Sequence, residues 1–379
     1  MLDIGYREQF LDAVNAVVTD QERAGLDVLT NGDYHIDGDV GGGAWVAYPI
    51  QRLSGTSDLT LERSDFWRFS STFAGRTETH PEAGSTVFPV GTWLSEIVNA
   101  WRYPAVTGKL GSRIPLEFAK IWRAAQAFAE RPVKFGTVSA DIAGAALTVR
   151  TDAYAADKRS LMWDIATVIN AELRELAAAG CQAIQIEDPM VYYLASLGAD
   201  EETLQFHIDL YNHQVEGLEN VEIWIHTCWG NAGSQRSANP GYDAAAVDIM
   251  LNRVKGDVWT IESKDSNHAP LPLFAPHKGR LSKKIAVGFI NHRTMAVEGR
   301  DEIVADVRRA LTYIDAEDLV LCSDCGFGRQ GVPRPVALYK ATALAQAANV
   351  LRRELGHDER PVRTADPRFQ VDDPEVAQG

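Results

Sequence analysis

The segment IHTCWGN (225–231) sets His226 and Cys228 two residues apart at the end of an extended run. Side chains two apart on a strand point to the same side. Imidazole and thiolate are both ligands that suit Zn²⁺. On its own a His-x-Cys pair also fits a packed core. Two further residues add to the metal reading. Glu262 lies in the extended run VWTIES (258–263), where burying an unpaired charge would be costly. Cys325 follows the run LVLCSD (319–324). Ligands drawn from separate strand ends suit a catalytic zinc, in which one coordination position exchanges with substrate. Cys322 allows another arrangement. With Cys325 it forms Cys-x-x-Cys, which could be a metal clip or a redox pair. His226, Cys228, Cys322 and Cys325 together would make a closed, structural zinc site. Cys322 sits inside the apolar run, so it reads as core.

Two other patterns carry less. Asp33, His35 and Gly38 match Asp-x-His-x-x-Gly, a corrinoid-binding pattern. That pattern needs a downstream Ser-x-Leu, where this chain has His80 and Glu82, so the match is by chance. The triple glycine at 41–43 lacks the phosphate-loop pattern and reads as a flexible loop.

The elements that must position these residues alternate between helix and strand. Phe10, Val14 and Val17 recur at helical spacing over 7–24, with Gly25 as a C-cap. Further helical stripes run through Leu161, Ile165, Val168 and Leu176, through Leu204, Ile208, Tyr211 and Val215, and through Ile303, Val307 and Leu311. Residues 243–253 and 335–355 also read as helices. Between them lie seven strand-like runs: 27–31, 133–139, 183–187, 222–227, 258–263, 285–290 and 319–324. Such alternation implies a parallel sheet with crossover helices. Polar residues recur at the carboxyl ends of these runs, where barrel folds build their active sites. The pattern therefore predicts an α/β (β/α)₈ TIM barrel spanning 1–356, with an excursion at 34–130 and a loosely ordered tail at 357–379. A closed barrel needs eight strands, so the first is absent or displaced.

Composition is that of a globular chain: 379 residues, 45% hydrophobic and 23% charged. The net charge of −15 disfavours nucleic acid and an anionic membrane surface as partners. Four cysteines are too few for a disulfide scaffold. No run is long enough for a membrane span, and MLDIGYREQF has no signal-peptide pattern. A cytoplasmic protein with reduced thiols is the expectation.

The rim residues together resemble the cobalamin-independent methionine synthase family, in the form of the catalytic barrel found alone in short homologues. The resemblance covers residues 7–355. It rests on LDVLTNGD, AIQIEDP, HTCWGN, the Glu262 strand, GFINHRTMAVEGRDEI and SDCGFGRQG. It implies zinc ligands at His226, Cys228, Glu262 and Cys325, favouring Cys325 over Cys322. It also implies that Asp33 and Glu187 bind a thiol amino acid, each as a length-swapped carboxylate relative to the family pattern. A family histidine implicated in proton transfer corresponds to the stretch Asn291, His292, Arg293. The tryptophan that stacks on folate in the family has no counterpart. The family's first strand falls before the start of this sequence, which accounts for a count of seven.

The activity implied is zinc-dependent alkyl transfer to a thiol, most directly methyl transfer from a donor such as 5-methyltetrahydrofolate to homocysteine. The donor's leaving group then needs a proton, so a general acid is required. Asp188, Asp265, His268 and His292 are candidates, and each also fits a solvated loop residue or a helix cap. Arg293 and Arg329 could hold a carboxylate or sulfonate, although a structural ion pair is the commoner role; Arg329 is the substrate-binding candidate. Two alternatives accompany this reading: an epoxide-opening transfer to coenzyme M, and a zinc-binding barrel without turnover. A redox role for Cys322 and Cys325 is a third. The partners expected are a small thiol and an alkyl donor, with self-association left open.

Overall fold

The computed structural model describes residues 4–34, 44–57, 104–112, 116–154, 158–228, 243–328 and 331–365. Among these, seven strands form one parallel sheet whose order follows the chain. They are β1 (Leu29–Thr30), β4 (Val133–Val138), β6 (Ala183–Glu187), β7 (Glu222–Thr227), β8 (Val258–Ile261), β9 (Lys284–Ile290) and β10 (Leu319–Ser323). Each overlaps one of the seven runs read from the sequence. The register pairs Leu29 with Val133, Phe135 with Ile184, Glu187 with His226, Thr227 with Ile261 and Leu319 with Ile285.

The strands alternate in direction of side chain, as the pleat requires. Ile184, Ile186, Ile223, Ile225, Trp259, Ile261, Ile285 and Val287 join the large core beneath the helices. Ala183, Trp224, Val258 and Ala286 form a second cluster with Val320 and Cys322. That smaller cluster is the filling of the barrel. His226 and Cys228 continue the inward parity of Trp224, and Glu187 that of Ala183.

Helices cover the outside. They are α1 (Ile4–Ala24), α3 (Phe118–Gln126), α4 (Ala140–Ala146), α5 (Arg159–Ala178), α6 (Met190–Ser196), α7 (Glu201–Gln214), α8 (Ala244–Asn252), α9 (Arg300–Ala310) and α10 (Arg334–Glu354). Side-chain caps start several of them. Asp200 accepts from Thr203 N at 2.9 Å at the start of α7, and Asp243 accepts from Ala246 N at 3.0 Å at the start of α8. In α5, Leu161, Ile165, Ile169, Leu173 and Leu176 supply the buried stripe. The last helix returns to the first: α10 packs on α1, and Arg334 Nη2 donates to Asp20 Oδ1 at 3.0 Å. No described helix is long and apolar enough to cross a membrane.

Of the expected excursion, 44–57, 104–112 and 116–130 are described. It carries α2 (Ala44–Gln51) and a separate sheet in which β3 (Ala105–Ser112) pairs with β2 (Leu53–Thr56) and with β5 (Thr148–Val149). Helix α3 belongs instead to the outer ring, where it packs on α1, α5 and β4. Residues 357–365 are held by Asn349, whose Oδ1 accepts from Arg360 N at 2.8 Å and whose Nδ2 donates to Arg360 O at 2.7 Å. The remainder of the expected tail lies outside the described residues.

Candidate metal centre

Three of the expected ligands meet at the carboxyl ends of the strands. His226 is the penultimate residue of β7, Cys228 lies just past its end, and Cys325 lies just past β10. One donor atom from each lies within 4.8 Å of the other two. β7 and β10 are three strand spacings apart, which would be about 14 Å on a flat sheet. The sheet must therefore curl to bring them together. A register shift between Cys322 and Ser323 occurs at the same rim. Irregularities of this kind re-aim side chains beside functional sites.

His226 and Cys228 are buried, and the buried Nε2 of His226 makes no hydrogen bond among the described residues. Burial works against a charge on His226, yet Glu187 and Cys325 hold its imidazole up at about 9. A hydrogen bond from Cys228 holds the Cys325 thiol well below the ordinary range, against burial and with help from His226. The same bond, with burial and Glu187, pushes the Cys228 thiol well above it. The cluster thus favours a thiolate, the form that ligates metal. Two sulfurs and a buried imidazole form a donor set that fits Zn²⁺. Cys322 takes no part: it faces the barrel filling, and burial pushes its thiol up to about 12.

Two carboxylates, Glu262 and Glu187, stand beside these donors. Both oxygens of Glu262 are taken by Arg293, with Nη1 donating to Oε1 at 2.6 Å and Nη2 to Oε2 at 3.0 Å. Arg293 Nη1 also reaches Asp265 Oδ2 at 2.8 Å, and Asn291 Nδ2 donates to Asp265 Oδ1 at 2.9 Å. Glu187 also lies against the cluster: Cys228 Sγ is 3.2 Å from its Oε1, and His226 Nε2 is 3.5 Å from its Oε2. Glu262 is near enough to add to the upward push on the Cys228 thiol.

A fully buried Asp324 braces this rim. Its Oδ1 accepts from the backbone N–H groups of Ser263 (2.7 Å) and Lys264 (2.8 Å), and its Oδ2 from that of Asp265 (2.8 Å). Burial still pushes its carboxyl up to about 8. Gly288 leaves the space for it: a Cβ there would sit 2.0 Å from Asp324 Oδ1.

The other expected residues fall in several places. Asp33 follows β1 with a left-handed backbone, φ 55, stabilised by its N–H donating to Asn31 Oδ1 at 3.1 Å. The residue is exposed at the rim, and its carboxyl lies over Gly136. The enclosing mouth and Cys325 raise that carboxyl, while Lys134 and His226 pull it down. His292 is fully buried in the company of Cys325, Arg293 and His226, and burial brings it to about 4. Asp188 is turned to the helix side. Its Oδ1 accepts from Met190 N at 2.9 Å, and burial with Asp141 drives its carboxyl well up. His268 is held against α9, with Nδ1 2.9 Å from Ser263 Oγ and Nε2 3.2 Å from Asp306 Oδ2. Arg329, like His35, Gly38, the triple glycine, His80 and Glu82, lies outside the described residues.

Sequence reading did not assign the clamp of Arg293 on Glu262 or the brace of Asp324. The only signals were an arginine and an acid at strand ends, both of which fit many roles.

Fold and site together define a (β/α)-barrel with a cysteine–histidine centre at the rim where such barrels carry their active sites. Residues 83–350 match the family model for the catalytic domain of cobalamin-independent synthase, and the chain belongs to that family. Among its relatives, a methionine synthase of Sulfolobus acidocaldarius is 25% identical over 351 residues, covering 92% of this chain and 84% of that protein. One from Saccharolobus solfataricus is 26% identical over 354 residues, covering 92% and 86%. Among solved structures, a B12-independent methionine synthase from Shewanella sp. W3-18-1, in complex with selenomethionine, superposes with a TM-score of 0.66 at 21% identity. It covers 94% of this chain and 91% of that one. That likeness supports the barrel assignment.

Proposed function

We propose that this protein is a methyltransferase that moves a methyl group onto a thiol, with Zn²⁺ at His226, Cys228 and Cys325 as its cofactor. The observation that carries the reading is the convergence of those three side chains, with one donor atom from each within 4.8 Å of the others. Bound there, zinc would keep an acceptor's sulfur as thiolate near neutral pH. Family membership and the methionine synthases among the relatives support homocysteine as the acceptor and a methylated folate as the donor class.

The chain's own residues divide the remaining work. Asp33, a rim carboxylate facing the cluster, suits the ammonium group of an amino-acid thiol. His292 is the candidate acid whose surroundings include Cys325. Burial lowers it to about 4, so at neutral pH its N–H would orient the leaving group, and the proton itself would be delivered from solvent through it. Asp265 supports Arg293, and His268 anchors the turn after Glu262. Asp188 secures the turn after β6.

Proton release on adding thiols to the zinc-loaded protein at neutral pH tests the reading. Capture of a thiol by zinc releases up to about one proton per site. A response to homocysteine supports methionine formation. A response to 2-mercaptoethanesulfonate alone would replace it with transfer to coenzyme M. Silence with both would favour a barrel that binds zinc without turnover.

A further inference from the structure

We infer that Lys134 anchors the acid group of the thiol acceptor, in an opening inside the barrel below the metal centre. The inference rests on the methyl-transfer reading above and narrows the acceptor to a thiol that carries an oxyanion, with the carboxylate of homocysteine as the first case. Barrels of this type fill their interior with layers of side chains. Here the filling is complete on one side. Val258 and Ala286 are fully buried, and Ala183 and Trp224 nearly so. Toward β10 it is not. Val320 and Cys322 belong to the same inner cluster and are half-buried, as are Lys134 on β4 and Gln185 on β6. β10 is half-buried along its whole length, and with β1 it ends the sheet. No described strand pairs with its outer edge, so the interior is open on that side.

Lys134 is drawn into this opening. Its Nζ donates to Gln185 Oε1 at 2.5 Å and stands 3.9 Å from the centre of the Trp224 ring. An ammonium has three N–H donors, and neither of these partners is an anion. Lys134 makes no ion pair among the described residues. Keeping a cation from water without a counter-charge is costly. Burial lowers the ammonium to about 8, with Cys322, Asp33 and Glu222 acting the other way, so it is charged near neutral pH. An incoming oxyanion supplies the missing partner through a charge-assisted hydrogen bond. The opening also adjoins the reaction site. Lys134 and Gly136 are two apart on β4 and share a face. Asp33 Oδ1 is 3.1 Å from where a Cβ on Gly136 would lie. The Lys134 charge is felt at both Asp33 and His226. A thiol amino acid with its sulfur at the cluster would thus meet Asp33 with its ammonium and Lys134 with its carboxylate. Val320 and Trp224 offer its methylenes an apolar wall.

Titration of the zinc-loaded full chain with two thiols, read by proton release, tests the anchor. The thiols are homocysteine and 3-aminopropane-1-thiol, which is homocysteine without its carboxylate. The wild type should bind homocysteine at least about tenfold more tightly, which is what a hydrogen bond to a charged group is worth. Lys134→Gln should weaken homocysteine by that factor and leave the amine thiol within about threefold. An unchanged homocysteine affinity in the variant would overturn the inference. Equal weakening of both thiols would overturn it too, because a merely structural lysine does not distinguish them. A wild type that prefers 2-mercaptoethanesulfonate, with that preference lost in Lys134→Gln, would keep the anchor and exchange the carboxylate for a sulfonate. Silence of the wild type with all three thiols would overturn the methyl-transfer reading and the inference together, which separates the two failures. Because a variant can misfold, a crystal structure of the wild type with zinc and homocysteine gives an independent reading. A carboxylate oxygen at about 2.7–2.9 Å from Lys134 Nζ supports the anchor, and a carboxylate turned away from it overturns the anchor.

Discussion

Cys322 and Cys325 lie three residues apart and do unrelated jobs. The first faces the barrel filling beside Trp224, Val258 and Ala286. The second joins His226 and Cys228. Cys325→Ser should lower zinc affinity by about a hundredfold or more, beyond the cost of losing an outer partner. Cys322→Ser should leave it within about threefold if it is only core. Chelator competition reads both, and a loss in the second variant would revive the closed four-ligand site. A different residue carries the acid sensitivity. Partial burial pushes the Asp306 carboxyl up, but His268 and Lys264 hold it down at about 2. Its folded value lies below the unfolded value of about 3.9, so folding favours its charged form. The contribution is full above pH 4 or so and is lost as pH falls through about 2. Urea unfolding followed by circular dichroism should show a shallower loss of stability between pH 4 and 2 in Asp306→Asn than in wild type, and an equal loss would overturn the assignment.

At the scale of elements, the loop after β9 is fixed by a buried lysine on α10. Lys340 Nζ donates to Glu298 Oε2 at 2.9 Å, to Asn291 O at 3.1 Å and to Ala296 O. Glu298 Oε1 in turn accepts from Asn291 N at 2.8 Å. Lys340→Met leaves Glu298 buried without its cation and should cost about 3–5 kcal/mol. Urea unfolding measures it, and a loss under about 1 kcal/mol would show that the loop stands without this tie. The strands were the legible part of this architecture. AIQIE and EIWIHT are apolar runs that end in a polar residue, and each became a barrel strand with that residue at the rim. The approach of His226 and Cys228 was legible because the pleat puts residues two apart on one face. The clamp of Arg293 on Glu262 was not, because it joins the end of one strand to the loop after another, and sequence order does not show which rim charges meet. The helix at 118–126 was also hidden in the expected excursion. Its buried set of Phe118, Ile121, Trp122 and Ala125 has helical spacing, and that spacing was the available signal.

At the scale of the whole molecule, the centre ties together strands that are not neighbours in the sheet. A metal bound only by the folded chain stabilises it by about 2.7 kcal/mol at a hundredfold excess over Kd. With about 2.1 cal/mol/K of unfolding entropy per residue, the gain for this chain is about 3–4 °C in Tm. A chelator should remove that gain from the wild type and leave Cys325→Ser unmoved in calorimetry. An equal chelator effect on both would place the stabilising metal elsewhere. The same division of donors between β7 and β10 also fixes an order of events in time. Cys325 follows the last strand of the sheet, and its partners lie at the end of a strand formed from sequence far upstream. Contacts so distant along the chain carry a high closing cost and arise late. A half-formed site would hold zinc weakly until the other half docks, so metal capture would be the final step of maturation rather than its seed. Zinc should then slow unfolding and leave the refolding rate unchanged. The centre would act as a latch that records the chain's arrival at its native state.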